Sequence, residues 1–170
     1  MIKQWVFSLV AAALVSGSAA AAEELLFNAD FSGGAWGYRD YPRNPEKWQR
    51  PSCPTVEGGI LRHDHVCLKT FNVKLKPETE YTVAVRVRNV DPSASSEPRL
   101  MLLDNAWKIV ANKRVTLNGG GWRDVRVSGV TKPSRYNLHY VRLDNPIGKG
   151  DVEVSRISLA EGRVEGWPTL

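Results

Sequence analysis

Residues Glu80–Val90 read EYTVAVRVRNV. Tyr81, Val83, Val85 and Val87 fall on one side of an extended chain, and Thr82, Ala84, Arg86 and Arg88 on the other. A period of two over this length marks a strand with one buried face. The pattern recurs in both directions. WRDVRVSGV (Trp122–Val130) repeats it through Trp122, Val125 and Val127 with one irregularity. PRLMLLD and the two short apolar runs of WKIVANKRVTL lie between them, set off by the Pro/Ser-rich DPSASSEP and by NGGG. YNLHYVRLDN and DVEVSRISLA follow, joined by PIGKG, and GGILRHDHVCLKTFNVKL precedes as two paired strands. No amphipathic helix longer than a turn is visible, and KPETE offers a single turn. Roughly eight or nine short strands divided by turn signals predict an all-β chain folded as an antiparallel β-sandwich.

The ends read differently. Residues 1–22 have the form of a secretory signal peptide: Lys3, an uncharged apolar run from Trp5 to Val15, and Ala20-Ala21-Ala22 as a small-x-small cleavage site. The expectation is cleavage after Ala22, with after Ala20 as the alternative, and a periplasmic or extracellular product. No later segment is apolar enough to span a bilayer. The sandwich then covers 23–162, and 163–170 is a C-terminal tail that has lost the alternation. Lys and Arg number 23 against 18 Asp and Glu, a net charge of +5. That excess is modest and dispersed, which argues against nucleic acid as a partner. Two cysteines, Cys53 and Cys67, in an exported chain predict one disulfide. It would close a loop of about 15 residues, worth roughly 3 kcal/mol in the chain-entropy model. His63 and His65 lie between them, but the spacing matches no common zinc pattern.

The stretch LLFNADFSGGAWGY (Leu25–Tyr38) opens the exported chain. Alternation predicts a strand over Leu26–Phe31, with the chain leaving the sheet from Gly33-Gly34. The Gly- and Pro-punctuated continuation is rich in aromatics: Trp36, Tyr38, Tyr41 and Trp48, with Arg39, Asp40 and Arg43 between them. Flat rings among polar groups are what a sugar site needs. The alternative for Trp36 and Trp48 is capping of the core, since tryptophan is mostly buried. Trp107, beside Asp104 and Asn105, carries the same two readings, and Trp167 in the tail carries none. Arg86 and Arg88 share a strand face, as do Tyr140 and Arg142, with His139 pointing the other way. On one concave sheet, Arg86, Arg88 and Arg142 would floor a basic groove suited to carboxylate or sulfate. Solvated arginines on an open face are the alternative.

Four motifs in order resemble the carbohydrate-binding modules of the galactose-binding-like β-jelly-roll type. LLFNADFSGG is similar to their opening strand, TEYTVAVRVRN to their Tyr-led apolar strand, GGWRDVRVSG to the strand with a tryptophan, and GDVEVSRISL to the closing strand. The resemblance implies a jelly roll, a binding-cleft rim in the region of Trp36, Tyr38, Tyr41 and Trp48, and a core role for Trp122. Members often hold a structural calcium ion with acids beside the first and last strands. Here Ser32, Ser155 and Arg156 stand at those positions. Calcium needs several oxygens with net negative charge, so no metal and no cofactor are expected, and Arg156 is expected to pair with Asp30.

His139, Tyr140 and Arg142 are residue types of a polysaccharide lyase, but adjacent strand residues face opposite sides. No Ser-His-Asp arrangement, phosphate loop or zinc signature appears. The reading is a non-catalytic exported protein that binds carbohydrate, a polysaccharide or cell-surface glycan of acidic type. The expected ligand-binding residues are Trp36, Tyr38, Tyr41, Trp48, Arg86, Arg88, Trp107, Tyr140 and Arg142. An envelope or matrix protein-interaction domain and a small polysaccharide lyase stay open as alternatives.

Overall fold

The computed structural model describes residues 22–41, 54–63, 67–145 and 150–170, with the side chains of Asp40 and Tyr41 outside that description. The strands are β1 (Tyr38–Tyr41), β2 (Thr55–Glu57), β3 (Ile60–His63), β4 (Cys67–Thr70), β5 (Val73–Lys74), β6 (Glu80–Asn89), β7 (Ser95–Ser96), β8 (Arg99–Asp104), β9 (Ile109–Arg114), β10 (Leu117–Asn118), β11 (Arg123–Val130), β12 (Leu138–Asp144) and β13 (Val152–Glu161). They build two antiparallel sheets packed face to face. The first runs β1-β4-β12-β8-β9, with β5 also on β12, and the second runs β11-β6-β13-β3-β2. A short β7–β10 ribbon stands apart. This is the antiparallel β-sandwich that the alternation predicts.

Period two explains the core. Tyr81, Val83, Val85 and Val87 of β6 point inward, as do Leu100 and Leu102 of β8, Val141 and Leu143 of β12, and Ile157 and Leu159 of β13. Each such side chain contributes on the order of 1.5–3 kcal/mol of burial. The sheets approach closely where β11 passes β9: a Cβ on Gly129 would lie 2.4 Å from the carbonyl oxygen of Val110. Only glycine fits there without moving backbone.

Several expectations are corrected. Leu26–Phe31 is a chain of turns rather than a strand. Asn28 and Phe31 sit at φ 58° and 60°, in the left-handed region, which breaks the pleat. The segment still fills the core through Leu26, Ala29 and Phe31. It lies along β13, with Leu25 N–H donating to Leu159 O (2.8 Å) and Ile157 N–H to Ala29 O (2.9 Å). Trp122 is partly exposed and outside the core. The β11–β6 register is unbroken from Arg123 to Val130. Trp122 therefore falls on the outer side with Asp124, opposite Val125, and the Arg88 guanidinium lies 4.5 Å from its ring. The tail is a strap: Thr169 bridges Glu23, and Arg156 donates to Pro168 O at 2.6 Å. Cys67 is buried on β4. Cys53, and with it the expected Cys53–Cys67 bond, lies outside the described residues, as do the expected signal peptide through residue 21, Trp48 and the Tyr41 side chain.

Candidate functional site

The outer face of the first sheet carries the site. Leu68, Leu100, Leu102 and Val141 turn inward, so Lys69, Met101, Leu103, Tyr140 and Arg142 turn outward. The registers Arg39↔Lys69, Arg142↔Lys69, Arg142↔Met101 and Met101↔Asn112 set these residues in one line across β1, β4, β12, β8 and β9. Neighbouring strands lie about 4.8 Å apart, so Arg39, Lys69 and Arg142 fall within about 10 Å of sheet.

Beside this row, Tyr140, Met101 and Leu103 form an apolar cluster separate from the sandwich core. The Lys69 ammonium sits 3.7 Å from the centre of the Tyr140 ring. Trp107 meets Tyr140 edge to face at 5.9 Å, and the Arg142 guanidinium lies 5.7 Å from the Trp107 ring. Trp107 is 62% exposed. Its position is built by the β8–β9 turn. Asp104 Oδ1 accepts the N–H groups of Ala106 (2.9 Å) and Lys108 (2.8 Å), and Trp107 N–H donates to Asp104 O (3.0 Å). Trp107 itself sits at φ 65°, a costly conformation for a bulky residue that the surrounding turn must hold. Asp104 thereby holds the backbone of the turn that presents the exposed indole.

Charge distinguishes the two outer faces. On the second sheet, Arg86 donates to Asp124 (2.8 Å), Arg88 to Glu153 (2.7 Å) and Arg62 to Asp151 (3.3 Å). On the first, Arg142 is held by Asp144. Among the described residues, no carboxylate forms an ion pair with Arg39 or Lys69. Burial, and then the adjacent Arg39 and Arg142 charges, hold the Lys69 ammonium below its ordinary pKa. Among the described residues, Asp144 is the one carboxylate paired within this cluster of three cations. A cleft of about 290 Å³ opens beside it, lined by Arg39, Lys69, Thr70, Phe71 and Asn72.

The expected residues divide accordingly. Trp107, Tyr140 and Arg142 come together, with Tyr140 buried as support beneath Trp107 and Lys69. Trp36 is 62% exposed near the β1 end of the same face. Tyr38 is a correction: it is buried in the core against Phe31, because β1 alternation sends it inward and Arg39 outward. Arg86 and Arg88 are another: they lie on the opposite sheet from Arg142, so the single groove of three arginines is not formed. Arg86 there flanks Trp167, together with Arg126 and Arg156, at 5.9, 5.2 and 4.9 Å from the ring. Trp167 donates its indole N–H to Asp124 (3.3 Å) and so fastens the strap. Arg156 pairs with Glu24 (3.8 Å) rather than Asp30, whose carboxylate accepts Ser32 N–H (3.1 Å). His139 turns inward, its Nδ1 3.1 Å from Asn137 O, so it does not join Tyr140. Among the described residues, no group of three or more His, Cys, Asp or Glu side chains is placed to hold a metal.

No family model matches the chain, and no curated protein sequence matches it. Solved structures do. A CBM4 carbohydrate-binding module aligns with a TM-score of 0.65 at 11% identity, over 81% of this chain and 99% of that one. The fold is a β-sandwich like that of this module. TmCBM61, solved with β-1,4-galactotriose, aligns with a TM-score of 0.55 at 13% identity, over 82% and 99%. Fisc, a Stig cyclase of Fischerella sp. TAU solved with an indole ligand, aligns with a TM-score of 0.58 at 17% identity, over 85% and 100%. At these identities the likeness is one of fold, and function rests on the site itself. No helix among the described residues is long and apolar enough to cross a membrane.

Proposed function

We propose that the outer face of the β1-β4-β12-β8-β9 sheet binds carbohydrate without transforming it, and that its ligand is an acidic polysaccharide or cell-surface glycan. The carrying observation is the exposed Trp107 ring, on a turn held by Asp104, beside the Arg39–Lys69–Arg142 row. The ring offers a flat apolar surface to a sugar, and the cations offer donors to its carboxylate or sulfate. The fold shared with carbohydrate-binding modules supports the same reading. In this reading residues 1–22 direct export to the periplasm or beyond, and Cys53–Cys67 is oxidised there.

A glycan array tests it, using the chain from Glu23 onward. Retention of uronate- or sulfate-bearing glycans, with no product formed, is the expected result. Trp107→Ala should weaken that retention about fivefold to tenfold, the worth of roughly one stacked ring, and leave the melting temperature within a degree or two of wild type. Three results would overturn the reading: no glycan retained, an unsaturated sugar released, or an envelope protein captured in place of glycan.

A further inference from the structure

Three aromatic rings cluster at the β1 end of the candidate face. Phe27 and Trp36 meet edge to face at 4.7 Å, and Trp36 and Phe71 at 5.7 Å. Phe27 is 68% exposed, Trp36 62% and Phe71 44%. A contiguous exposed patch of this kind marks a binding surface more than a core. Phe71 follows Lys69 by two residues and faces the same way, and its N–H continues the β1–β4 pairing by donating to Gly37 O (2.9 Å).

The loop that carries Trp36 is braced. Asn28 Nδ2 donates to Gly34 O and Trp36 O, both at 2.8 Å, and Asn28 Oδ1 accepts Gly33 N–H at 2.7 Å. The Tyr38 hydroxyl donates to Asn28 O at 3.1 Å. Rings already held in place cost little further ordering when a ligand arrives. A cleft of about 350 Å³ lies against Phe27, Trp36, Phe71 and Lys74. It shares Thr70, Phe71 and Asn72 with the cleft beside Arg39 and Lys69, and the Arg39 guanidinium stands 5.4 Å from the Phe71 ring. The aromatic cluster and the cationic row are therefore one continuous path.

We propose that the Phe27–Trp36–Phe71 cluster is a second ring platform, which takes an uncharged sugar next to the acidic sugar held on the Arg39–Lys69–Arg142 row. This rests on the glycan reading above and narrows it to polymers in which acidic and uncharged sugars alternate. The physical ground is the division of labour along the path. A carboxylate laid on the three ring faces would lose water against apolar surface, with Arg39 and Lys74 the cations that line the path beside them, whereas an uncharged ring covers the platform with its apolar face. Charge density alone would favour a polymer of uronates only, so the two ideas predict opposite preferences.

Calorimetric titration decides between them. The probes are hexasaccharides of hyaluronan and chondroitin, which alternate uronate with an N-acetylated sugar, and hexa-uronates from polygalacturonate and alginate. Wild type should bind an alternating probe about tenfold more tightly than either uronate homopolymer. Trp36→Ala should erase that preference without weakening the homopolymers, and Trp36→Phe should restore most of it. The proposal is overturned if wild type prefers the homopolymers, or if Trp36→Ala weakens all probes alike or none. It is also overturned if sedimentation shows that Trp36→Ala dissolves a dimer, which would make the patch a protein contact. Should Trp107→Ala weaken binding while Trp36→Ala does not, the platform alone is wrong. Should wild type bind none of the probes, the acidic-glycan reading falls and the platform with it.

Discussion

Tyr38→Ala lowers the stability of the sandwich by about 3–5 kcal/mol, the usual cost of emptying a buried aromatic site, and lowers the melting temperature by roughly 10 °C for a domain of this size. Tyr38 lies two residues from Trp36 yet is only 2% exposed. Its ring packs against Phe31 at 4.9 Å, and its hydroxyl reaches the carbonyl of Asn28. Burial pushes that hydroxyl's pKa well above its ordinary value, so it stays a donor across the working pH range. Tyr38→Phe keeps the ring and loses one hydrogen bond, a cost of about 1 kcal/mol. Urea unfolding reads both as a shift in midpoint at constant slope. The folded fraction of each variant should keep wild-type affinity for the uronate homopolymers, whose binding does not use the Trp36 platform. Loss of binding at unchanged stability would return Tyr38 to the ligand surface.

Alternation alone made the sandwich legible. In β6 and β12 it separates Tyr81, Val83 and Val141 from Arg86, Arg88 and Arg142 correctly. It says nothing about which of two outer faces a residue joins, because both sheets obey the same period. That is why Arg86 and Arg142 looked like neighbours and are not. The opening segment misled for a local reason: its apolar residues alternate, but two left-handed residues turn the chain. Lys69 carries no local signal either. It is one cation in CLKT, and its meaning comes from pairing with Arg39 and Arg142, which are far away in sequence. Phe27 and Phe71 are single aromatics that only folding brings to Trp36. Trp167 was unreadable because a tail without period gives no face, whereas the strap lays it among three arginines.

Lys69→Glu should abolish binding of acidic glycans, by roughly a hundredfold or more, while leaving the fold intact. Lys69 is the middle member of the row, in register with Arg39 on one side and Arg142 on the other. A carboxylate there would attract both arginines and, with Asp144 already pairing Arg142, take the row from a net charge of about +2 to about zero. Two unit charges about 5 Å apart interact by roughly 3 kcal/mol at an effective dielectric of 20. Reversing one of them therefore exceeds the 2.7 kcal/mol that a hundredfold represents. Stability should change little: partial burial, the main cause of the lysine's lowered pKa, penalises a glutamate as well, while glutamate relieves the repulsion from Arg39 and Arg142. Lys69→Met removes the charge without reversing it and should show a smaller loss. In about 1 M salt, where screening acts over about 3 Å, the gap between wild type and Lys69→Glu should narrow. Neutral glycans separate charge from shape. If Lys69→Glu weakens neutral and acidic sugars equally, the ammonium acts only by packing over the Tyr140 ring, and the acidic-ligand reading does not survive.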